Sequence, residues 1–329
     1  MDKGRVLYVS GDDPRPHGGI GVLYDHVAIL TRHHFNAFIV HTTPNFRYPF
    51  AATTVPVIFW GDLGEMGEED TFVIPETHSR ALAAVREVDS GKILFCQNHY
   101  YIYYGLTAGQ SWSDFGIQDY MVVSQPMRDA LHTWFGIEAT VVRPAIDDLF
   151  FADQPAPIAQ PLNIAFMPRK GVIDLRLLRG LLDPAMQQKP AWPIQWRPID
   201  NLQRPQVAEI LKSCPIYIAT SYHEGLGLPS LEAMAAGCLI IGYRGGGGLD
   251  YAAADNGLWV PDDHPFLLAA KLQEVLSRLG DPSYLRTIQQ IRQSGQATAR
   301  RYSSQAQEAA LLEFWRCYFH KRQGQWNNG

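Results

Sequence analysis

Two carboxylates stand eight positions apart in the run SYHEGLGLPSLEAMAAG, residues 221–237: Glu224 and Glu232. Gly225 and Gly227 let the backbone approach a ligand closely, and Pro229 suits the first turn of a helix. The unpaired N–H groups of such a turn attract phosphate. A carboxylate repels phosphate, so each glutamate is suited instead to accept hydrogen bonds from the hydroxyl groups of a sugar or ribose. Taken alone, the pair could also be a solvated loop residue and an ordinary helix residue.

Two apolar runs flank this stretch and must position it. Residues 215–220 and 238–243 have the length and β-branched content of buried strands. Gly237 suits the end of the intervening helix. The pattern predicts a strand, loop, helix and strand, with the loop at the carboxyl ends of parallel strands, where ligands bind in such sheets.

The run 221–237 resembles EGFGLPxLEAMAxG, the E-x7-E signature of the large retaining GT-B glycosyltransferase family. That family includes sucrose and trehalose phosphate synthases and many bacterial mannosyltransferases. Leu226 replaces the usual Phe. The resemblance implies that Glu224 contacts the donor sugar and Glu232 the ribose. It also implies that backbone amides hold the diphosphate, at Gly225, Leu226, Gly227 and Leu228.

Composition narrows the class of protein. The chain has 329 residues, 46% hydrophobic and 19% charged, which is enough for two globular domains. A net charge of −5 argues against nucleic acid as the main partner. The four cysteines have no metal or redox spacing and indicate buried thiols in a reducing compartment. No apolar run approaches the roughly 20 residues of a membrane span, and residues 4–10 do not resemble a signal peptide, so we expect a cytoplasmic protein.

The first half of the chain alternates strands with helical patterns. This alternation predicts a mostly parallel, doubly wound sheet. With the resemblance, it predicts an α/β protein with the GT-B fold, two Rossmann-like doubly wound domains facing a cleft. The predicted strands of the first domain are residues 5–10, 37–41, 55–59, 71–75, 92–97, 119–124 and 139–143.

A glycine-rich loop, GDDPRPHGGIG at residues 11–21, follows the first predicted strand. Its spacing is not the GxGxxG of dinucleotide-binding folds. It resembles the glycine pair of the glycosyltransferase family, which implies that Gly18 and Gly19 face the donor phosphate and the acceptor. A flexible surface turn is the alternative.

Two further loops of the first half offer polar side chains. His78 follows the strand 71–75, and Gln97, Asn98 and His99 follow the strand 92–97. The family often has a histidine in this second loop that reaches the reacting sugar; alignment by strand places Gln97 there, with His99 two residues further on. The resemblance thus implies acceptor contacts by His78, Gln97, Asn98 and Tyr100, and a catalytic role for His99 or Gln97. The tyrosines of YYIYYG could stack on a sugar or form one face of a core helix.

The second half supplies cations and more glycines. In the run LNIAFMPRKG, a predicted strand is followed by a loop that carries Arg169 and Lys170. Fixed cations at this place can stabilise the charge of a departing diphosphate. The family uses an Arg and a Lys in this role, which favours Arg169, with Lys170 or Arg176 as the second cation. A solvated basic turn is the alternative. In RGGGGLD, Gly246 and Gly247 correspond to the family's glycine pair and could present N–H groups to phosphate, or form a mobile loop.

The domain boundaries follow from composition and from resemblance. VVRPAIDDLFF at 141–151 resembles the segment that leaves the first domain of the family, and the proline-rich 153–161 is typical of a linker. We expect an N-terminal acceptor-binding domain at 1–151, a nucleotide-sugar-binding domain at 152–302, and a helix at 303–329 that crosses back onto the N-terminal domain. An alternative is that the basic residues of that helix associate weakly with the inner face of a membrane.

The implied activity is transfer of a hexose, with retention, from a nucleotide-diphosphate sugar to a hydroxyl group of a glycan, lipid-linked or other acceptor. No Asp-x-Asp pair occurs, so we expect no metal and no cofactor besides the nucleotide sugar. One alternative is a catalytically weak GT-B subunit that binds another glycosyltransferase or a glycan. A second is a sugar-nucleotide epimerase.

Overall fold

The computed structural model describes residues 4–182 and 192–326. The chain forms two compact units, residues 1–144 with 305–329, and residues 145–304. The sequence placed the first boundary later, at residue 151. Residues 145–151 belong to the second unit, where Ile146 donates its N–H to the carbonyl of Tyr302 at 2.8 Å.

Within residues 4–144, the first unit has a seven-stranded parallel sheet of order β3-β2-β1-β4-β5-β6-β7. Strands β1, β4 and β5 are mostly apolar and almost entirely buried, with Lys92 of β5 half-buried, as expected for a sheet covered on both faces. The strands are β1 (Val6–Val9), β2 (Ala37–His41), β3 (Val57–Phe59), β4 (Thr71–Pro75), β5 (Gly91–Cys96), β6 (Asp119–Val122) and β7 (Thr140–Val141).

The helices of the first unit connect these strands and follow the carboxyl ends of several of them. They are α1 (Gly18–Arg32), α2 (Ser79–Val85), α3 (Ile102–Gly105) and α4 (Gln125–Phe135). A 3-10 turn, His99–Tyr101, precedes α3. This arrangement brings the starts of α1 and α2 and the loop after β5 to one edge of the sheet.

The last helix, α10 (Ser304–Trp326), packs within the first unit. Trp315 is fully buried, and its indole N–H donates to the Tyr8 hydroxyl at 3.3 Å. Two cations of α10 form ion pairs within the same unit. Arg316 pairs with Glu313, and Lys321 pairs with Asp119, each at 2.7 Å. Among the described helices, none is both long enough and apolar enough to cross a bilayer.

Over residues 145–182 and 192–304, the second unit has a five-stranded parallel sheet of order β12-β11-β10-β8-β9. Its strands are β8 (Leu162–Phe166), β9 (Ile194–Pro198), β10 (Ile216–Ala219), β11 (Leu239–Gly242) and β12 (Leu258–Trp259). Its helices are α5 (Val172–Leu181), α6 (Arg204–Lys212), α7 (Leu228–Ala235), α8 (Pro265–Arg278) and α9 (Pro282–Arg300). The predicted α/β class with two doubly wound parallel sheets is confirmed.

Candidate functional site

The loop after β8 is held by its contact with the end of β10. Gly171 lies in the left-handed region at φ 73°, and a Cβ there would be 2.5 Å from the Thr220 carbonyl oxygen. The Thr220 hydroxyl donates to the carbonyl of Lys170. Only glycine fits this close turn, and the turn fixes the backbone that carries Lys170.

Lys170 reaches the first of the two signature glutamates. Its Nζ forms an ion pair with Glu224 Oε1. Both side chains are half-buried, 30% and 15% exposed, so solvent screens the pair less than it would a surface pair. The loops after β8 and β10 thus bring a cation and a carboxylate together at the carboxyl edge of the sheet.

Helix α7 begins beside this pair with unpaired backbone donors. Gly227 caps it at φ 88°, and the buried Tyr251 hydroxyl donates to the Gly227 carbonyl at 2.9 Å. Among the residues that the structure describes, the N–H groups of Leu226, Gly227 and Leu228 have no hydrogen-bond acceptor. Three free N–H groups at a helix start next to a lysine form an environment suited to an anion.

The glycine run after β11 packs against the Glu224 loop as bare backbone. Glu224 donates its N–H to the Gly245 carbonyl, and Gly247 donates its N–H to the Glu224 carbonyl, both at 2.9 Å. A side chain at Gly247 would collide with the Gly225 carbonyl. The N–H of Gly247 is therefore engaged in fixing the loop, whereas the sequence predicted phosphate binding by Gly246 and Gly247.

Glu232 lies on α7, half-buried. Burial raises the pKa of its carboxyl to about 7, although the positive charges of Arg204 and Lys170 oppose this shift. Within the described parts of the chain, its carboxylate accepts no hydrogen bond. An ionised Glu232 would gain from a hydroxyl donor, because a partly desolvated carboxylate without a partner is costly.

The loops after β8, β10 and β11 and the start of α7 form a small cavity of about 20 Å³. It is lined by Lys170, Tyr217, Ala219, Thr220, Ser221, Glu224, Gly227, Pro229, Ser230, Tyr243, Arg244 and Tyr251. Arg244, Thr220 and Tyr251 were not predicted as site residues. In the described ranges the Arg244 guanidinium forms no ion pair, which leaves it able to bind an anion.

The other two predicted cations lie outside this lining. Arg169 is exposed on the same loop as Lys170. Arg176, on α5, lines a different cavity with Phe166 and Trp196, between α5 and β9. Lys170 is therefore the predicted cation that the structure places against Glu224.

The first unit has a polar cluster of its own at the start of α1. A Cβ at Gly19 would be 3.1 Å from Gln97 Oε1 and 3.3 Å from the His17 ring, while a Cβ at Gly11 would be 3.5 Å from His78 Nε2. Burial lowers the pKa of His78, so its ring is more readily neutral. Gln97 thus lies beside the predicted Gly19, which follows the exposed Gly18, and His78 lies beside Gly11 in the same glycine-rich loop. His17 is an addition that the sequence had not singled out.

The rest of the loop after β5 faces other partners. The Asn98 side chain caps the next turn by accepting the Tyr100 N–H at 3.0 Å. The His99 ring lies against Tyr100, with centroids 4.3 Å apart, and burial lowers its pKa. The tyrosines at 100, 101, 103 and 104 are exposed, so they do not form the face of a core helix.

The groups around the unit 2 cavity are of the types that bind a diphosphate and hydroxyl groups. Lys170, Arg244 and the amides at the start of α7 offer positive potential, and Glu224 offers an acceptor in the lining, whereas Glu232 lies on α7 outside the lining. Among the described residues, no group of three or more His, Cys, Asp or Glu side chains is placed to hold a metal ion.

Comparison with known proteins identifies glycosyltransferases. The family model described as glycosyl transferases group 1 matches residues 197–294, which include both glutamates. An α-1,6-glucosyltransferase of Actinobacillus pleuropneumoniae serotype 7 is 28% identical over 236 residues, 69% of each chain.

Solved structures match along nearly the whole chain. Sucrose-phosphate synthase from Thermosynechococcus elongatus superposes with a TM-score of 0.70 at 13% identity, covering 97% of this chain and 100% of that one. HepE from Anabaena, solved with UDP and glucose, gives a TM-score of 0.72 at 13% identity, covering 95% and 100%. At such identities the likeness concerns the fold. Residues 197–294 thus match the glycosyl transferases group 1 family model, within a chain that has the GT-B fold.

Proposed function

We propose that the protein is a retaining hexosyltransferase that moves a sugar from a nucleotide-diphosphate sugar to a hydroxyl acceptor. The second unit binds the donor. The observation that carries this proposal is the Lys170–Glu224 pair beside the unpaired amides of α7. It combines, within one cavity, a cation and N–H groups for a diphosphate with a carboxylate for sugar hydroxyls.

Each part of the donor has a counterpart in the second unit. Glu224 accepts hydrogen bonds from the sugar, and Glu232 from the ribose. The amides of Leu226, Gly227 and Leu228 bind the diphosphate, together with Lys170, and Arg244 adds a further cation. UDP-glucose is the first donor to test, because the relatives' names include a glucosyltransferase and a structure with UDP and glucose.

The reaction needs charge stabilisation more than a strong base. The bond from the anomeric carbon to the diphosphate breaks, and the acceptor oxygen attacks from the same face. The acceptor proton passes to the departing phosphate oxygen. Fixed cations and helix amides stabilise the growing negative charge, which is the role that we assign to Lys170 without a metal.

The acceptor is assigned to the first unit, at the cluster of Gln97, His78 and Gly19. Gln97 rather than His99 lies next to the start of α1, so we assign Gln97 to the acceptor. An amide binds hydroxyls as donor and acceptor without changing charge. Asn98, His99 and Tyr100 extend the acceptor surface.

The test is release of nucleoside diphosphate from a panel of nucleotide sugars, with and without a mixture of mono- and oligosaccharides. Glu224→Gln should lower kcat by about 100-fold or more, as expected for losing a contact made to the reacting sugar. Glu209→Gln, an exposed glutamate of α6, should retain activity. The anomeric proton of the product should show retention by NMR, and chelator should not change the rate.

The outcome also separates the alternatives. A chain that binds and turns over none of the donors would favour a catalytically weak binding subunit. A changed nucleotide sugar formed without acceptor would identify an epimerase. Glu224→Gln with wild-type rates would show that the cavity of unit 2 is not the donor site.

A further inference from the structure

Glu76 is a buried carboxylate at the end of β4, only 3% exposed. Its two oxygens accept hydrogen bonds from consecutive backbone amides of the loop after β5. Gln97 donates its N–H to Oε2 at 3.0 Å, and Asn98 donates its N–H to Oε1 at 2.9 Å. One side chain therefore satisfies two neighbouring donors on the adjacent strand's loop.

The residues that it holds are those at the polar cluster of the first unit. Gln97 places its side-chain oxygen against Gly19 at the start of α1. Asn98 caps the turn that carries Tyr100. Gly105, at the end of α3, packs so closely on the Glu76 carbonyl that a Cβ would collide with it. The backbone and the carboxylate of Glu76 thus contact both ends of the segment 97–105.

This arrangement is electrostatically costly and so requires an explanation. Burial raises the pKa of the Glu76 carboxyl to about 7, while the hydrogen bonds from Gln97 and Asn98 oppose the shift. An apolar side chain would avoid the desolvation but would leave two buried N–H groups without an acceptor. A glutamine would offer one acceptor oxygen to two donors and would turn an NH₂ group towards the second.

We propose that Glu76 is a positioning residue that sets the backbone of Gln97 and Asn98, and thereby the place of the Gln97 side chain in the polar cluster of the first unit, to which the acceptor is assigned. The inference rests on the proposed function for its catalytic consequence. Glu76 itself does not contact the substrate. It acts through the orientation of Gln97, so its loss should lower turnover with the acceptor and leave donor binding in the second unit unchanged.

The test compares Glu76→Gln and Glu76→Ala with wild type. Asp114→Asn is the matched control, because Asp114 also accepts a backbone N–H, from Ser111 at 2.8 Å, on an exposed turn of the same unit. Hydrogen–deuterium exchange reports the amides of Gln97 and Asn98 directly. We expect their exchange to be about tenfold faster in Glu76→Gln, faster still in Glu76→Ala, and unchanged in Asp114→Asn.

Kinetics supply the second measurement. With UDP-glucose as the probe, kcat for transfer should fall by about tenfold in Glu76→Gln and further in Glu76→Ala, with the donor KM within about twofold of wild type. Unchanged exchange at residues 97 and 98, or faster exchange with wild-type transfer, would overturn the proposal. Wild-type protein that neither binds nor consumes any nucleotide sugar would instead overturn the proposed function, while exchange still decides whether Glu76 holds the loop.

Discussion

The raised pKa of Glu232 predicts that donor affinity depends on pH. If Glu232 accepts a ribose hydroxyl as a carboxylate, the donor binds the ionised form. With a pKa of about 7, the ionised fraction is about 0.9 at pH 8 and about 0.1 at pH 6. The apparent Kd for UDP-glucose should therefore rise about tenfold between pH 8 and pH 6.

Isothermal titration calorimetry with UDP-glucose measures this directly. UDP-glucose is a suitable probe because its diphosphate is esterified at both ends and does not titrate in this range. Glu232→Gln should bind more weakly at pH 8 and lose the pH dependence, whereas Glu209→Gln should keep it. Wild-type affinity that is constant from pH 6 to 8, or a Glu232→Gln variant with the full slope, would refute the assignment of Glu232 to the ribose.

Three further predictions concern stability. A glutamate of the unfolded chain ionises near pH 4.5, whereas folded Glu232 ionises near 7, so its contribution to stability is full below 4.5 and is lost as the pH rises to 7. The change in the free energy of unfolding caused by Glu232→Gln, measured with urea, should therefore be more favourable at pH 8 than at pH 5, by on the order of 3 kcal/mol. Equal changes at both pH values would contradict this. Gly171→Ala should destabilise by about 1–3 kcal/mol because of its left-handed backbone and the Thr220 carbonyl, whereas Gly180→Ala, on open helix surface, should be neutral or stabilising. Arg292→Met should destabilise by about 2–4 kcal/mol, since the buried guanidinium donates to the carbonyls of Gly237 and Ala156 at 2.6 Å, and the exposed Arg286→Met should change little.

Most of the fold could be predicted because its strands are buried on both faces. Runs such as 37–41 and 71–75 are mostly apolar, and both strands have the predicted bounds. Strand β9, Ile194–Pro198, was not predicted. It lies at the edge of the second sheet and has a mixed sequence, IQWRP, with no buried residue, so its hydrophobic pattern is weak.

The candidate site could be predicted only as far as local sequence determines it. The run 221–237 predicted the loop and helix that carry both glutamates. The choice among Arg169, Lys170 and Arg176 required the turn at Gly171, which depends on a contact with Thr220 from a distant part of the chain. The hydrogen bonds of Glu76 to residues 97 and 98 likewise join separate strands, and no local pattern indicates them.

The central claim is that the cavity containing Lys170 and Glu224 binds a nucleotide-diphosphate sugar. Calorimetric titration of UDP-glucose into wild type, Lys170→Met and Arg176→Met tests it most directly. We expect saturable binding to wild type, about 10- to 100-fold weaker binding to Lys170→Met because one contact to a charged group is lost, and near wild-type binding to Arg176→Met. Equal affinity of wild type and Lys170→Met, or loss of binding in Arg176→Met alone, would contradict the claim.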